Sequence, residues 1–236
     1  MLEGCVIATV VPALDEGPFI EEVLETMPPF VDRVFVVDDA SEDDTAARAE
    51  RARCHSAVEV LRHGANRGVG AAIVTGYRAA IRSGADVIAV MAGDGQMAPG
   101  ELERVVRPIA EGRVDYVKGN RLRHPEIWRR MPRERLVGSL VLSRLTGWAV
   151  GMPVEDSQCG YTAIARPLVE ALDLDALWPR FGYPNDLLAA VIRSGGRVGE
   201  VAVSPVYRDE VSHLRPRHVV TILYLIGRAR VRRGLA

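Results

Sequence analysis

The chain has 236 residues, of which 48% are hydrophobic and 26% are charged, so it can bury the core of one large domain or two small ones. Its formal charge of -1 excludes a general attraction for nucleic acid, and an anionic ligand has to be held by a local site. Three scattered cysteines fit neither a disulfide framework nor a zinc site. The N-terminus shows no signal-peptide pattern and no run reaches roughly 20 apolar residues, so we expect a cytoplasmic protein.

Short β-branched runs alternate with helical patterns in the first half of the sequence. The predicted strands and helices, beginning with a strand, cover residues 6–11, 18–26, 33–37, 45–53, 58–61, 68–83 and 86–91. Pro12 is expected to end the first strand, and Ser41 is expected to cap the second helix. Continuous apolar strands in this order predict an α/β fold, in which a mostly parallel, Rossmann-like sheet is flanked by helices.

The second half of the sequence is less regular, and nothing in it marks a linker. Further elements are expected at 102–110, 116–121, 132–150, 186–194 and 198–206, of which the second and the last are strands. We therefore predict a single domain over residues 1–236. It divides into functional halves at about 1–115 and 116–213, followed by a C-terminal helix at 214–236.

Acidic residues follow three of the predicted strands. Residues 15–16 follow the first strand, residues 38–39 follow the second, and Asp94 follows the fourth. Ligands of open α/β sheets bind beyond the carboxyl ends of the strands, where gathered carboxylates repel one another unless a cation or hydrogen-bond donors compensate. Mg²⁺ and Mn²⁺ prefer oxygen ligands, so Asp94 and the amide oxygen of Gln96 are the predicted metal ligands. A single aspartate at a strand end can also merely cap a helix, but three such turns favour a ligand site.

A glycine-rich run at 64–70 follows the third predicted strand and opens a helix. Its backbone amides can approach an anion, to which Arg67 would add charge. The sequence contains neither the Gly-x-Gly-x-x-Gly pattern of dinucleotide-binding folds after the first strand nor a phosphate loop of the Gly-x-x-x-x-Gly-Lys-Ser/Thr type.

Eight short motifs occur along the chain at 11–16, 37–45, 66–72, 93–99, 118–121, 156–161, 185–186 and 207–212. In this order they resemble family 2 glycosyltransferases of the GT-A fold. The branch that they resemble contains the dolichol-phosphate mannose synthase-like enzymes and the bacterial polyprenyl-phosphate sugar transferases. The motifs span roughly residues 5 to 213, so the resemblance covers most of the chain.

The resemblance implies an inverting transferase that moves a hexose from GDP-mannose or a UDP-sugar, with Mg²⁺ or Mn²⁺ as cofactor, to a polyprenyl phosphate such as dolichyl or undecaprenyl phosphate. The first half of the chain would bind the nucleotide-sugar and the second half the acceptor. The implied donor-binding residues are Pro12, Leu14, Asp15, Glu16, Asp39, Arg67, Gly68, Gly93, Asp94, Arg121 and Arg208. Asp156 and Asp186 would lie near the sugar and the acceptor, where either could act as general base toward a hydroxyl.

Two alternatives apply to these second-half residues. Asp186 also suits the first turn of a helix without any catalytic role, because an acidic side chain there complements the helix dipole. Arg121 and Arg208 can also form surface ion pairs, which is the less favoured interpretation.

The chain departs from the pattern of the family at Ala92, where the usual Asp-x-Asp metal motif has its first aspartate. We therefore expect weaker metal affinity rather than loss of the site. Two other functions stay open: transfer to a soluble small molecule or glycan, and a catalytically silent subunit that only binds nucleotide-sugar.

Two basic segments of the sequence predict contact with a membrane surface. Arginines surround Trp128 within residues 121–135, a segment that can contact anionic headgroups or a polyprenyl phosphate, or can instead be a solvated loop that closes over the donor. An apolar run at 219–226 precedes four further arginines. The C-terminal run can be a packed helix, an interfacial anchor or the contact with a membrane partner subunit, and we favour a place near the cytoplasmic face of a membrane.

Overall fold

The computed structural model describes residues 1–206 and 216–234, in which seven strands form a single sheet. The strands are β1 (Ile7–Ala13), β2 (Arg33–Asp38), β3 (Ala57–Arg62), β4 (Val87–Val90), β5 (Tyr116–Asn120), β6 (Thr162–Ala165) and β7 (Val198–Ala202). Their order across the sheet is β3-β2-β1-β4-β6-β5-β7. All neighbours are parallel except β6, which is antiparallel to both β4 and β5.

Helices pack on the two faces of this sheet. They are α1 (Gly17–Glu25), α2 (Thr45–Arg51), α3 (Val69–Arg82), α4 (Leu102–Ala110), α5 (Ile127–Arg130), α6 (Arg133–Val150), α7 (Arg166–Ala171), α8 (Tyr183–Arg193) and α9 (Pro216–Arg233). One core cluster joins the sheet to α3, α8 and α9, and a second joins it to α1 and α4. The predicted α/β architecture, a mostly parallel sheet flanked by helices in a single domain, is confirmed.

The predicted end of the first strand at Pro12 is wrong, because β1 continues to Ala13. The carbonyl of Pro12 accepts a hydrogen bond from the backbone N–H of Gly93 at 3.2 Å, on the side of β1 that faces β4. Proline has no N–H to donate on that side, so β1 continues past Pro12 with this carbonyl as the group that accepts from the segment after β4.

The predicted cap of the second helix is also wrong. α2 begins at Thr45, whose backbone N–H donates to the carboxylate of Asp43 at 2.9 Å. Ser41 lies outside the helix and instead accepts a hydrogen bond from the backbone of Asp15 at 3.0 Å. The residue predicted as a local cap therefore joins two separate turns.

Several elements of the second half differ from the expectation: the strand predicted at 198–206 ends at Ala202, and α5 and α7 were not predicted. The sequence did not predict β6, whose four residues include two alanines and which forms only by pairing with distant strands. α8 begins at Tyr183 rather than Asp186, because Gly182 adopts a φ of 102° that breaks the chain direction just before it.

The arrangement of the sheet brings three acidic turns to one edge. β1 lies between β2 and β4 and is parallel to both, so the carboxyl ends of these strands are neighbours. The turns that begin at Leu14, Asp39 and Met91 therefore meet at the centre of the sheet. The predicted gathering of acidic turns at this edge is confirmed.

Gly76 lets α3 lie directly on β1. A Cβ atom at this position would lie 2.2 Å from Cγ1 of Val10. We predict that Gly76→Ala lowers the free energy of unfolding by about 1–3 kcal/mol through overpacking, and that Val10→Ala in the same chain restores part of it. Urea unfolding measures the difference. Gly138→Ala on α6, where a Cβ meets nothing within 4 Å, is the control and is expected to be neutral or stabilising.

Candidate functional site

A cleft of about 640 Å³ lies beyond the carboxyl ends of β1, β2 and β4. Residues of the strand ends and the start of α3 form one wall: Pro12, Ala13, Leu14, Glu16, Asp39, Asn66, Gly68, Val69, Ala72, Ala92 and Asp94. Residues before α8 and on α9 form the opposite wall: Trp178, Arg180, Phe181, His218 and Thr221. Six of the eleven predicted donor-binding residues thus line one cleft, and Arg208 lies outside the described residues.

The carboxylate of Asp39 holds the glycine-rich loop against the end of β2. Its two oxygens accept the backbone N–H groups of Arg67 at 2.9 Å and Gly68 at 2.7 Å. His63 Nδ1 lies 2.6 Å from the same carboxylate, and its Nε2 lies 3.0 Å from the hydroxyl of Thr75 on α3. Because the carboxylate is only 4% exposed, it needs these donors to offset its desolvation. Asp39 therefore shapes the loop as well as lining the cleft.

The side chain of Arg67 does not reach the main cleft. It lines a separate cavity of about 90 Å³ with residues of α3 and the segment before α8. Only its backbone N–H, through Asp39, takes part in forming the wall of the main cleft.

The glycine-rich loop also packs tightly against the opposite wall. A Cβ atom on Gly68, whose φ is 96°, would lie 2.6 Å from the carbonyl oxygen of Pro179. The guanidinium of Arg180 donates to the side chain and the carbonyl of Asn66 at 3.3 and 3.2 Å. The two walls of the cleft are therefore in direct contact at this point.

The turns after β1 and β2 are linked to each other. Asp15 has a φ of 57°, and its carboxylate accepts the backbone N–H of Glu42 at 2.8 Å. Ala40 also has a positive φ, of 66°. Such conformations cost roughly 1–3 kcal/mol in non-glycine residues and are found mostly at functional sites. Asp15 holds this strained pair of turns together, while Leu14 and Glu16 on either side of it line the cleft.

Asp94 and Ala92 lie on the same wall of the cleft, at the end of β4. The backbone N–H of Gln96 donates to Asp94 at 2.9 Å, which fixes the turn. Asp94 and Gln96 also line a cavity of about 60 Å³ together with Arg121 and Ser204. In residues 1–206 and 216–234 no three histidine, cysteine or acidic side chains converge on one point. The donor set here fits an ion that takes one carboxylate and fills its remaining positions with other oxygens.

Gly93 precedes Asp94 and lets this turn approach β1. A Cβ atom there would lie 3.3 Å from the Cβ of Ala13 and 3.4 Å from the carbonyl oxygen of Pro12. The missing side chain therefore serves the close packing of this turn, and the role of Gly93 in donor binding stays a prediction.

Arg121 and Asp156 form a buried bidentate ion pair. Arg121 Nε and Nη2 donate to the two carboxylate oxygens at 2.8 and 3.0 Å, and the backbone N–H of Arg121 adds a third bond at 3.1 Å. Burial by itself raises the pKa of Asp156, but the charge and hydrogen bonds of Arg121 outweigh it and hold the pKa below its usual value. Lys118, fully buried nearby, donates to the carbonyl of Cys159, and burial lowers its pKa.

Asp186 connects the cleft wall to the C-terminal helix. One carboxylate oxygen accepts the backbone N–H of Trp178 at 2.8 Å, and the other pairs with Arg228 of α9. Neither Asp186 nor Asp156 is among the residues that line the main cleft. Their predicted roles as general bases stay predictions, and the geometry gives each of them a positioning task.

The sequence did not identify the far wall of the cleft. Phe181 stacks on His218 of α9 with ring centroids 4.4 Å apart, and the indole N–H of Trp178 donates to the carbonyl of Phe181 at 3.0 Å. The only local signal is a pair of aromatic residues between Pro179 and Pro184, in the segment that precedes α8. α9 itself reaches the cleft only because it folds back onto α6 and α8.

We predict that Arg121→Met lowers the free energy of unfolding at pH 7 by about 3 kcal/mol or more, because it leaves the Asp156 carboxylate buried without its counter-ion. In the parent chain the folded pKa of Asp156 is depressed, so its contribution to stability is lost as the pH falls below about 3.9. In the variant burial raises the folded pKa above the unfolded value, so the destabilising contribution of this carboxylate is relieved as the pH is lowered through the raised pKa toward about 3.9. Urea unfolding across pH measures both slopes.

Arg121→Met combined with Asp156→Asn is the control for that experiment, since it removes both charges. It is expected to be more stable at pH 7 than Arg121→Met alone. Equal stability of the two variants at pH 7, or a stability difference between them that does not shrink as the pH is lowered, would contradict the assignment.

Known proteins are similar to this chain over most of its length. The family described as Glycosyl transferase family 2 matches residues 9–169. The chain is 28% identical over 214 residues to UDP-N-acetylglucosamine--dolichyl-phosphate N-acetylglucosaminyltransferase of Methanococcus voltae, with 85% of each chain covered. It is 31% identical over 186 residues to undecaprenyl-phosphate mannosyltransferase of Micrococcus luteus, covering 75% of this chain and 72% of the relative.

A solved structure has the same fold. The glucosyl-3-phosphoglycerate synthase of Mycobacterium tuberculosis, in complex with Mn²⁺, uridine diphosphate and glucosyl-3-phosphoglycerate, superposes with a TM-score of 0.68 at 20% identity. The superposition covers 97% of this chain and 81% of that one. Since the family match extends over more than half of the sequence, the chain belongs to glycosyl transferase family 2 and is a glycosyltransferase of the GT-A fold.

Proposed function

We propose that this glycosyltransferase moves a hexose from a nucleotide-diphospho-sugar, GDP-mannose or a UDP-sugar, to a polyprenyl phosphate, with inversion at the anomeric carbon. The observation that carries the proposal is the cleft over β1, β2 and β4, which combines the Asp39-bound glycine-rich loop with Asp94. The two curated relatives described above are named for transfer to dolichyl phosphate and undecaprenyl phosphate, which supports a lipid phosphate as acceptor.

The donor would lie along the wall formed by the strand ends. We assign the nucleoside to the part near Pro12, Asp39 and Gly68, and the diphosphate to the part near Asp94. The hexose would then face Trp178 and the other residues of the opposite wall. This order follows from the rule that ligands of open α/β sheets bind across the carboxyl ends of central strands.

We propose Mg²⁺ or Mn²⁺ as the cofactor, held by Asp94, by the side-chain oxygen of Gln96 and by the donor diphosphate. The solved relative contains Mn²⁺ together with uridine diphosphate, which supports this assignment. When bound, the ion would supply neutralisation of the charge that develops on the departing nucleotide. With Ala92 in place of a second carboxylate, affinity for the free ion is expected to be low without donor.

A phosphate acceptor agrees with the state of the two carboxylates predicted as bases. Asp156 is held by Arg121 with a lowered pKa, and Asp186 is engaged by Arg228 and the backbone of Trp178. A hydroxyl acceptor needs a strong base, whereas a phosphate monoester, with a second pKa of about 6, is already largely ionised at neutral pH. We therefore propose that Asp156 positions Arg121 and that Asp186 positions the cleft wall.

None of the helices in the described part of the chain combines the length and the apolar composition that crossing a bilayer requires. We propose that the protein meets its lipid acceptor by peripheral contact with the cytoplasmic face of a membrane, alone or through a membrane partner subunit.

We predict that Asp94→Asn lowers the rate of sugar transfer by about a hundredfold or more, because charge stabilisation by the metal is worth several kcal/mol in the transition state. The Ala92→Asp variant restores the second carboxylate and is expected to bind Mn²⁺ more tightly. A sugar-transfer assay at saturating Mn²⁺ measures the first effect, and thermal shifts in a titration of Mn²⁺ with donor present measure the second. Transfer by Asp94→Asn at the rate of the parent chain would show that the metal site is misplaced.

The choice of acceptor is tested separately. We predict that the protein transfers sugar to undecaprenyl or dolichyl phosphate in detergent and not to 3-phosphoglycerate or free sugars, given the same donor. Transfer only to a soluble acceptor would establish the alternative function. Donor binding without turnover on any acceptor, including water, would identify a silent binding subunit.

A further inference from the structure

Positive charge is concentrated in three helices of the second half. α5, α6 and α9 contain ten arginines and a single acidic residue, Glu134, within 40 residues. The whole chain has a formal charge of -1, so the remaining residues carry a formal -10. α6 and α9 pack against each other, and α5 precedes α6 by two residues. The molecule is therefore strongly polarised, with its positive pole on these helices.

An apolar stripe runs along the exposed side of α6. Val137, Val141 and Trp148 are each more than half exposed, and Leu145 completes the row. Their spacing of four, four and three residues puts all four on one face of the helix. The opposite face packs into the protein through residues such as Leu136 and Leu142, so the stripe is not needed for the core.

α9 carries a second exposed stripe. Val220, Tyr224 and Val231 are each more than half exposed and follow one another at helical spacing. The guanidinium of Arg230 lies 5.2 Å from the ring centroid of Trp148, which joins the two helices near their C-terminal ends. The exposed faces of α6 and α9 thus form one surface, which we call the arginine–apolar face. An apolar surface rimmed by charge is characteristic of a binding surface.

We propose that the arginine–apolar face docks the enzyme on a bilayer surface that contains anionic phospholipids. The apolar stripes would enter the boundary between headgroups and acyl chains, and the surrounding arginines would contact lipid phosphates, as in amphipathic helices that bind at interfaces. A second copy of the chain fits poorly, because a twofold contact would bring arginines against arginines. The proposal rests on the proposed function in one respect, namely that the acceptor is a membrane lipid.

Docking in this way has a consequence for the cleft. α9 contributes His218 and Thr221 to the cleft wall and Val220 and Tyr224 to the docking face. The two sets lie on the same turns of one helix, so a lipid phosphate at the membrane surface would be next to the cleft. Docking would therefore bring the acceptor phosphate close to the donor site.

Vesicle flotation of the full chain tests the proposal. Binding is compared between vesicles of phosphatidylcholine alone and vesicles of equal parts phosphatidylcholine and phosphatidylglycerol. We expect the parent chain to bind the anionic vesicles at least about tenfold more tightly, with a loss at high salt. Val141→Asp with Leu145→Asp, and separately Arg144→Glu with Arg230→Glu, are each expected to lose most of this binding.

Arg51→Glu with Arg82→Glu is the matched control, because it changes the charge by the same amount at exposed positions of α2 and α3. It is expected to bind like the parent chain. The docking variants must keep the thermal midpoint and the donor-dependent thermal shift of the parent chain, which shows that they fold. If one of the two double variants fails to fold, the vesicle binding of the other double variant tests the proposal.

The proposal would be overturned if the parent chain showed no preference for anionic vesicles, if both pairs of docking variants bound like the parent chain, or if the control lost binding equally. A dimer in solution that the stripe substitutions dissolve would also overturn it, by assigning the face to a second copy. Asp94→Asn separates this proposal from the proposed function, since it should bind vesicles normally while losing transfer. Vesicle binding without transfer to any polyprenyl phosphate would keep the docking face and refute the acceptor.

Discussion

The parallel alignment of β1 with both β2 and β4 is the constraint on which the site depends. It places three acidic turns side by side, where their carboxylates would repel one another without compensation. Much of the local structure supplies hydrogen-bond donors that offset this repulsion between carboxylates. Asp39 takes two backbone N–H groups from the glycine-rich loop, and Asp15 takes one from the neighbouring turn. Because these donors come from other segments, satisfying the charges also fixes the wall of the cleft.

The second half of the chain completes the site through buried ion pairs rather than through further acidic turns. Arg121 is held by Asp156 beside the turn that contains Asp94, and Asp186 ties the segment before α8 to Arg228. A buried pair of this kind contributes little net stability but is costly to break, so it serves to hold a geometry. Under the proposed transfer to a lipid phosphate, this enzyme would work mainly by positioning donor and acceptor, because the acceptor is already ionised.

The single helix α9 has three roles in the structure. Ile222 and Leu225 complete the core, His218 and Thr221 face the cleft, and Val220 and Tyr224 face outward. The concentration of arginines on α5, α6 and α9 gives this side of the molecule an electrostatic character opposite to that of the rest. This separation of positive from negative charge is not visible in the formal charge of the whole chain, which is -1.

The sequence by itself determined the α/β class, the strands of the parallel half and the acidic turns that follow them. Continuous β-branched runs and turn residues are local signals, and a strand end in a parallel sheet has a known position. Only the tertiary structure decided the rest. In the folded chain β6 lies antiparallel between β4 and β5, and β1 continues past Pro12. Asp15, Asp156 and Asp186 bind donors from distant segments, and α9 lies at the cleft. Those features depend on contacts between residues far apart in the chain, for which no local pattern exists.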